Sequence, residues 1–371
     1  MTTPESQPGR GTASRQVALC PLYAKSNTYC ASLAAGIQQR GWRVVDGGRS
    51  ATFFFKNAQV RRSNVIHFHW PDTYTLAANL SYVRSVAKSL LFLAQLWLCR
   101  FMGIKVVWTC HNLTSHEGQF PRLQDWVTKR ILSVCHVVLA HGPACVEAAL
   151  HLYGEKHREK MRSVPHANYI DDYPNATSRE EARNRFQLAE HEMVFLFLGA
   201  IRGYKGLQEL LTDFATLDNN SARLIIAGKP RNESIEQQIQ KLVDADPRVI
   251  FHSGFVPDGE IQHYMAAADV TVLPYRKILT SGTLLLAASF GKVAIVPDAP
   301  TLLDTIAEEG VIPFKREEDS SLIEAMNTAI AERGPRGEHD NLAARGRISR
   351  DHVAKWGWRE MAAATIEAYE A

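Results

Sequence analysis

The sequence predicts an α/β protein built from two Rossmann-like, doubly wound domains. Three observations predict it. The chain has 371 residues, more than one core usually holds, so two domains of roughly 150–190 residues are expected. Short apolar, β-branched runs alternate with helix-period segments along the whole chain, the pattern of parallel strands joined by helices. Between 168 and 189 the sequence turns polar around Asp171-Asp172-Tyr173-Pro174, and the rhythm then restarts.

In the first half the expected strands are 16–20, 43–45, 65–68, 105–108 and 137–139, with 162–164 as a sixth. Residues 27–40 read as a helix, with Ser26 or Asn27 as its N-cap and Gly41 past its end. The segment 168–189 reads as a linker followed by a short helix. The second half offers strands 193–198, 223–227, 249–252, 270–273, 293–296 and 311–313, with helices that include 235–244 and 259–268. The last stretch, 353–371 with Trp356 and Trp358, also reads as helix. The expected organisation is a loose polar tail over 1–15, a first domain over 16–172, a second over 173–350, and a terminal helical segment over 351–371.

Six cysteines without a Cys-x-x-Cys pair read as small core residues in a reducing compartment. The tail lacks the apolar core of a secretory signal, and the longest apolar run, 90–99, is too short to span a bilayer. A cytoplasmic chain, soluble or peripheral at the inner face of a membrane, is expected. Residues 1–175 hold 20 Lys and Arg against 10 Asp and Glu, and the remainder holds 22 against 29. The basic half would face a phospholipid surface, a lipid pyrophosphate or nucleic acid, or the charges simply solvate two surfaces. No nucleic-acid recognition motif accompanies the charge. The stretch 82–105 mixes Phe92, Trp97 and Phe101 with Arg84, Lys88 and Arg100, which suits an interfacial helix or a core helix with a basic edge.

Ligands of doubly wound sheets bind where strands end. In the second half, strand 193–198 runs into Gly199-Ala200-Ile201-Arg202-Gly203-Tyr204-Lys205-Gly206. Arg202 and Lys205 would hold a diphosphate and neutralise charge as it leaves. After strand 270–273 come Tyr275, Thr280, Ser281, Gly282 and Thr283, then an apolar helix over 284–290 closed by Gly291. Free N–H groups and the dipole at that helix start form an anion site, or an ordinary N-cap. Gly228 and Lys229, at a third strand end, would border the base or ribose, or form a plain turn. No Gly-x-Gly-x-x-Gly opens either half, and no P-loop is present. No metal-ligand cluster stands out, so neither a metal nor another cofactor is expected.

In the first half the strand ends carry His67-Phe68-His69-Trp70-Pro71-Asp72, then Cys110-His111-Asn112-Leu113-Thr114-Ser115-His116-Glu117, then His166. His67 and His69 alternate with apolar residues, so one should point into the core, and His67 reads as that one. His69, Trp70, Asn112, His116 and His166 are the expected acceptor or sugar contacts. A transfer that inverts the anomeric centre needs a base, for which Asp72 stands first, with Glu117 and His116 behind it. His111 would hydrogen-bond the transferred sugar.

These motifs, with Leu273-Pro274-Tyr275 and 281–287, occur in one order over most of the chain. In them the chain resembles GT-B-fold glycosyltransferases, and within them the bacterial exopolysaccharide (xanthan-type) GDP-mannose β-mannosyltransferase family. The resemblance implies two domains facing a central cleft, with the donor site in the second half and the acceptor site in the first. It implies that the terminal segment crosses back onto the first domain. It implies transfer of a hexose, mannose from GDP-mannose, to a lipid-linked or oligosaccharide acceptor in exopolysaccharide or glycoconjugate synthesis, with the nucleotide sugar as substrate and no metal. In retaining relatives an Arg and a Lys matching Arg202 and Lys205 bind the diphosphate. Those relatives also carry two Glu eight positions apart, and neither occurs over 279–287 here, which leans towards inversion. Where the mannosyltransferase family has Glu, this chain has Asp72. A UDP-sugar-dependent glucosyl- or glucuronosyltransferase, a sugar-nucleotide epimerase and a non-catalytic sugar-nucleotide-binding protein are the alternatives.

Overall fold

The computed structural model describes residues 15–23, 27–76, 81–113, 120–333 and 340–371. The tail through residue 14, Ser26, and the expected site residues His116 and Glu117 lie outside the described residues. The chain divides into two units. The first comprises the chain up to Ala140, Ala149–Val164 and Trp358–Ala371; the second comprises His141–Ala148 and Pro165–Gly357.

The first unit is built on a six-stranded sheet of β1 (Gln16–Cys20), β2 (Arg43–Asp46), β3 (Val65–Phe68), β4 (Lys105–Thr109), β5 (Val137–His141) and β6 (Met161–Val164). Its spatial order is β2-β1-β3-β4-β5-β6, with parallel pairing along β2-β1-β3-β4-β5. β1, β3 and β5 are buried along their whole length, which is why they read as unbroken apolar runs rather than alternating ones. The helix Thr28–Gln39 starts on Asn27, whose Oδ1 accepts from the Cys30 amide at 3.3 Å, and stops before Gly41 at φ +82°. Its Gly36 meets the helix Trp358–Glu370 so closely that a Cβ there would lie 2.9 Å from both Ala362 Cβ and the Trp358 carbonyl. That contact packs the C-terminal helix on the first unit. The expected helix over 353–371 is divided: Val353 ends the helix Asn341–Val353, and Trp358 begins the last one.

The second unit repeats the plan with β7 (Met193–Leu198), β8 (Ala222–Gly228), β9 (Val249–Ser253), β10 (Val270–Val272), β11 (Val293–Pro297) and β12 (Val311–Phe314). The order is β12-β11-β10-β7-β8-β9, parallel throughout. Phe195, Phe197, Leu210, Phe214, Leu224 and Met326 sit in its core. The helix expected over 259–268 is a 3-10 turn, Asp258–Glu260, running into Ile261–Ala267. The segment after 168 is not a free linker. Asn168 Nδ2 donates to the Val353 and Trp356 carbonyls at 2.9 and 3.0 Å, and the Tyr169 amide donates to Ser289 Oγ at 2.9 Å. These bonds place the first residues after β6 in the second unit, ahead of the boundary expected at 172.

In each sheet the strand order reverses once. β1 has β2 on one side and β3 on the other; β7 has β8 on one side and β10 on the other. A crevice for a ligand opens at the carboxyl ends of the strands at such a switch point.

Candidate active site

At the switch point of the second unit, β7 ends in Gly199 at φ +119°, a conformation that favours glycine. The Gly199 amide donates to the Ala227 carbonyl at 2.9 Å, and the Ile201 amide donates to Lys229 O at 2.9 Å. The two strand ends therefore continue side by side past the sheet. They touch: a Cβ on Gly228 would lie 1.9 Å from Gly199 O. Gly228 thus serves backbone packing, and Lys229 offers its carbonyl to the loop while its side chain is exposed.

Arg202 and Lys205 stand differently in this loop. Arg202 Nη1 is committed to the carbonyls of Ile201 and Lys229 at 2.8 and 3.2 Å, so the guanidinium also braces the turn. Lys205 ends the 3-10 turn Gly203–Lys205, and its Nζ stands 5.4 Å from the Tyr275 ring centroid. Apart from that ring it has no hydrogen bond or ion pair among the described residues. Gly206 (φ +68°) lets the turn press on Pro274, whose carbonyl would be 1.9 Å from a Cβ there. The β7 and β10 loops are locked together by that contact.

The helix after β10, Gly282–Ser289, opens on Ser281, whose Oγ accepts from the Leu284 amide at 3.1 Å and donates to Tyr275 Oη at 3.4 Å. Ser281 is therefore an N-cap, leaving the first-turn amides of Gly282 and Thr283 without helical partners. Tyr275 is 1% exposed and supports Lys205 and Ser281 from below. Thr280 and Thr283 are half-buried. A Cβ built on Gly199 would meet Lys205 Nζ at 3.4 Å and Thr283 Oγ1 at 3.7 Å. A cation, a hydroxyl and a helix start thus converge on one glycine where the strand order reverses. Positive charge, a hydroxyl and free amides in one place are the chemistry that suits an anion. Gly199 was not singled out in the sequence, because neither its φ nor the side chains that meet on it can be read from the order of residues.

The first unit gathers rings at its own switch point. His67 is buried with both nitrogens engaged: Nδ1 with Tyr369 Oη at 2.6 Å and Nε2 with Thr109 Oγ1 at 2.7 Å. His69 is buried as well, although only one of the pair was expected to point into the core: positions two apart in an extended segment share a face, so His69 follows His67 inward. The His67 and His69 rings lie 4.4 Å apart. His69 Nδ1 pairs with His111 Nε2 at 3.1 Å, and His111 stacks on Trp70 at 4.8 Å and 16°. Tyr29 closes the cluster edge-on, 5.0 Å from His111 and 5.5 Å from His69. Burial, then the neighbouring His67, hold His69 well below the usual imidazole range, so it is neutral. Tyr29 and Tyr369 had no signal in the sequence; Tyr369 reaches His67 across 302 positions.

Asp72 is exposed at the start of the short helix Asp72–Thr75. Tyr153 donates to the Leu113 carbonyl, and its phenol is pushed up by burial first, then by Cys110, Asp125 and, least, Asp72. At the end of the described β4 loop the Asn112 carbonyl accepts from Cys110 Sγ at 3.4 Å. His166 does not belong to this cluster. It sits in the second unit, its ring 4.6 Å from that of His141 and its Nδ1 on the Ala167 carbonyl at 2.9 Å.

Residues 178–348 match the family described as glycosyl transferases group 1. The chain is 24% identical over 302 residues to a GDP-mannose:glycolipid 4-beta-D-mannosyltransferase of Xanthomonas campestris pv. campestris, covering 79% of this chain and 78% of that protein. Among solved structures it resembles sucrose-phosphate synthase from Thermosynechococcus elongatus, with a TM-score of 0.73 at 16% identity over 96% of this chain and 98% of that one. It also resembles Anabaena Alr3699/HepE in complex with UDP and glucose, at a TM-score of 0.70 and 13% identity over 96% and 99%. The two parallel six-stranded sheets and these structural likenesses give the chain the GT-B fold, and its second unit carries the match to glycosyl transferases group 1 over residues 178–348.

Proposed function

We propose that the chain transfers mannose from GDP-mannose, with inversion and without a metal, to a lipid-linked saccharide in glycoconjugate or exopolysaccharide synthesis. The observation that carries the reading is the convergence of Lys205 Nζ and Thr283 Oγ1 on Gly199 at the switch point of the second unit. The donor diphosphate would rest on Lys205, Arg202 and the amides at 281–283. Charge that grows on the leaving phosphate is met by groups already in place, so little reorganisation is needed during reaction. Asp72 takes the proton of the attacking hydroxyl as general base. His111, held by His69 and Trp70, orients the sugar. His116 and Glu117 remain further candidates on the loop that follows Asn112. The likeness to the Xanthomonas GDP-mannose:glycolipid mannosyltransferase supports mannose and a glycolipid acceptor.

A cytoplasmic chain working at the inner membrane face fits this acceptor. No described helix is long and apolar enough to cross a membrane, and surface docking would serve instead.

Thermal unfolding with GDP-, UDP- and dTDP-sugars tests the donor. A ligand at 100 times its Kd adds about 2.7 kcal/mol of stability. GDP-mannose is expected to raise the midpoint most. A shift with UDP sugars alone would remove mannose from the proposal and leave a UDP-sugar transferase; turnover without acceptor would favour an epimerase.

A further inference from the structure

The second unit also carries a pocket of about 260 Å³ at the amino ends of its strands, away from the donor loops. Arg179, Lys292, Arg347 and Arg350 line it against two carboxylates, Asp269 and Asp340. Both carboxylates are occupied. Asp269 accepts from Arg179 Nη2 at 2.5 Å, and from Arg183 Nη2 and the Val194 amide, each at 2.8 Å. Asp340 caps the helix Asn341–Val353 through the Ala343 amide at 3.0 Å. The cations are less well served. Lys292 Nζ spends one of its three hydrogens, on the Ala268 carbonyl at 2.8 Å. Arg179 Nε is buried without a hydrogen bond, with Glu190 Oε1 at 3.7 Å. Arg347 and Arg350, one turn apart on the same helix, have neither hydrogen bond nor ion pair among the described residues.

A purely structural ion network accounts for Arg183 and for Arg333, which donates to the His191 and Glu190 carbonyls at 2.5 and 2.6 Å. It leaves Arg347 and Arg350 unexplained. Burial, then Arg179, push the Lys292 ammonium down to about 8, against the opposing pull of Asp269 and Asp340. The pocket is thus short of negative charge, and its free donors suit tetrahedral oxygens.

We infer that this pocket is a second anion site, taking the phosphate group of a phosphorylated small molecule or of a lipid head. Calorimetric titration of the full chain with inorganic phosphate tests it. An Arg202→Ala/Lys205→Ala background takes the donor loops out of play. That background is expected to bind phosphate, and adding Arg347→Ala/Arg350→Ala should weaken binding at least tenfold. Arg347→Lys/Arg350→Lys should keep it within about threefold. Both arginines lack partners, so the unfolding midpoint should hold and report an intact fold. No binding in the background, or equal affinity after alanine replacement, would overturn the site. Sedimentation with phosphatidic acid vesicles separates the sources. Retention lost in the alanine variant assigns a head group, and phosphate binding without retention assigns a free metabolite.

Discussion

Gly228 shows how much one missing methyl group can matter. The Gly199 carbonyl lies 1.9 Å from where its Cβ would stand, and that atom is backbone, which cannot swing aside. Gly228→Ala should therefore part the β7 and β8 ends, costing about 1–3 kcal/mol by overpacking. Urea unfolding reads the loss, and unchanged stability would mean that the strand ends do not touch. His166 makes a second prediction. Burial pushes its imidazole down to about 4, so it stays neutral in the fold while the unfolded chain takes up a proton below about pH 6.5. Stability is full above pH 6.5 and should fall by about 1.4 kcal/mol per pH unit between 6.5 and 4. The difference between wild type and His166→Asn isolates this slope from the carboxylates, and equal slopes would refute it. At this scale the sequence was legible where chemistry is local: Arg202, Lys205 and Ser281 follow strand ends in plain order. The Gly199–Gly228 contact and the His166–His141 pair were not, because each joins segments that only the sheet brings together.

The helix Tyr82–Phe101 carries both features that its sequence offered, a core face and an exposed apolar one. One face is core, with Phe92, Leu93, Leu96 and Cys99 buried. The opposite face is also apolar: Leu90 and Trp97 stand exposed at a seven-residue interval from Val83, and Phe101 is 89% exposed. Arg84 and Arg100 border it and are exposed. An apolar stripe edged by cations suits the boundary of an anionic bilayer. Trp97→Ser/Phe101→Ser should weaken binding to phosphatidylglycerol vesicles about tenfold, the equivalent of about 1.4 kcal/mol, with little loss of stability because the core face is untouched. Equal sedimentation of variant and wild type would sink membrane docking by this helix. Most of the strands were legible because strands covered on both faces leave continuous apolar runs; the edge strands β2, β6 and β9 are partly exposed and were read from their place in the alternating rhythm. Their ends drifted by a residue or two, since ladder bonds continue past the apolar stretch, as at Asp46 and Gly228. The short helices Phe53–Lys56 and Ala58–Arg61 were not legible, because four residues are too few to show a helical period.

At the scale of the whole molecule, each half places its chemistry at the one point where its strand order reverses, and the halves differ in what stands there. The first gathers aromatic and imidazole rings and one exposed carboxylate, groups that suit orienting a sugar and removing a proton. The second gathers cations and a helix start, fit to hold a diphosphate. A leaving diphosphate gains charge as the glycosidic bond breaks, and something fixed must meet that charge. In the proposed mechanism Lys205, with Arg202 bracing the loop beside it, meets that charge. Lys205→Ala should then lower turnover of GDP-mannose by about 10²–10³-fold, the usual cost of removing one preorganised charge-stabilising group. A chelator should leave wild-type turnover within about twofold. The two measurements separate the possible sources of that stabilisation. Loss of turnover in chelator with recovery on added magnesium would transfer the role to a bound ion. A Lys205→Ala variant as fast as wild type would remove the lysine from the leaving-group site altogether.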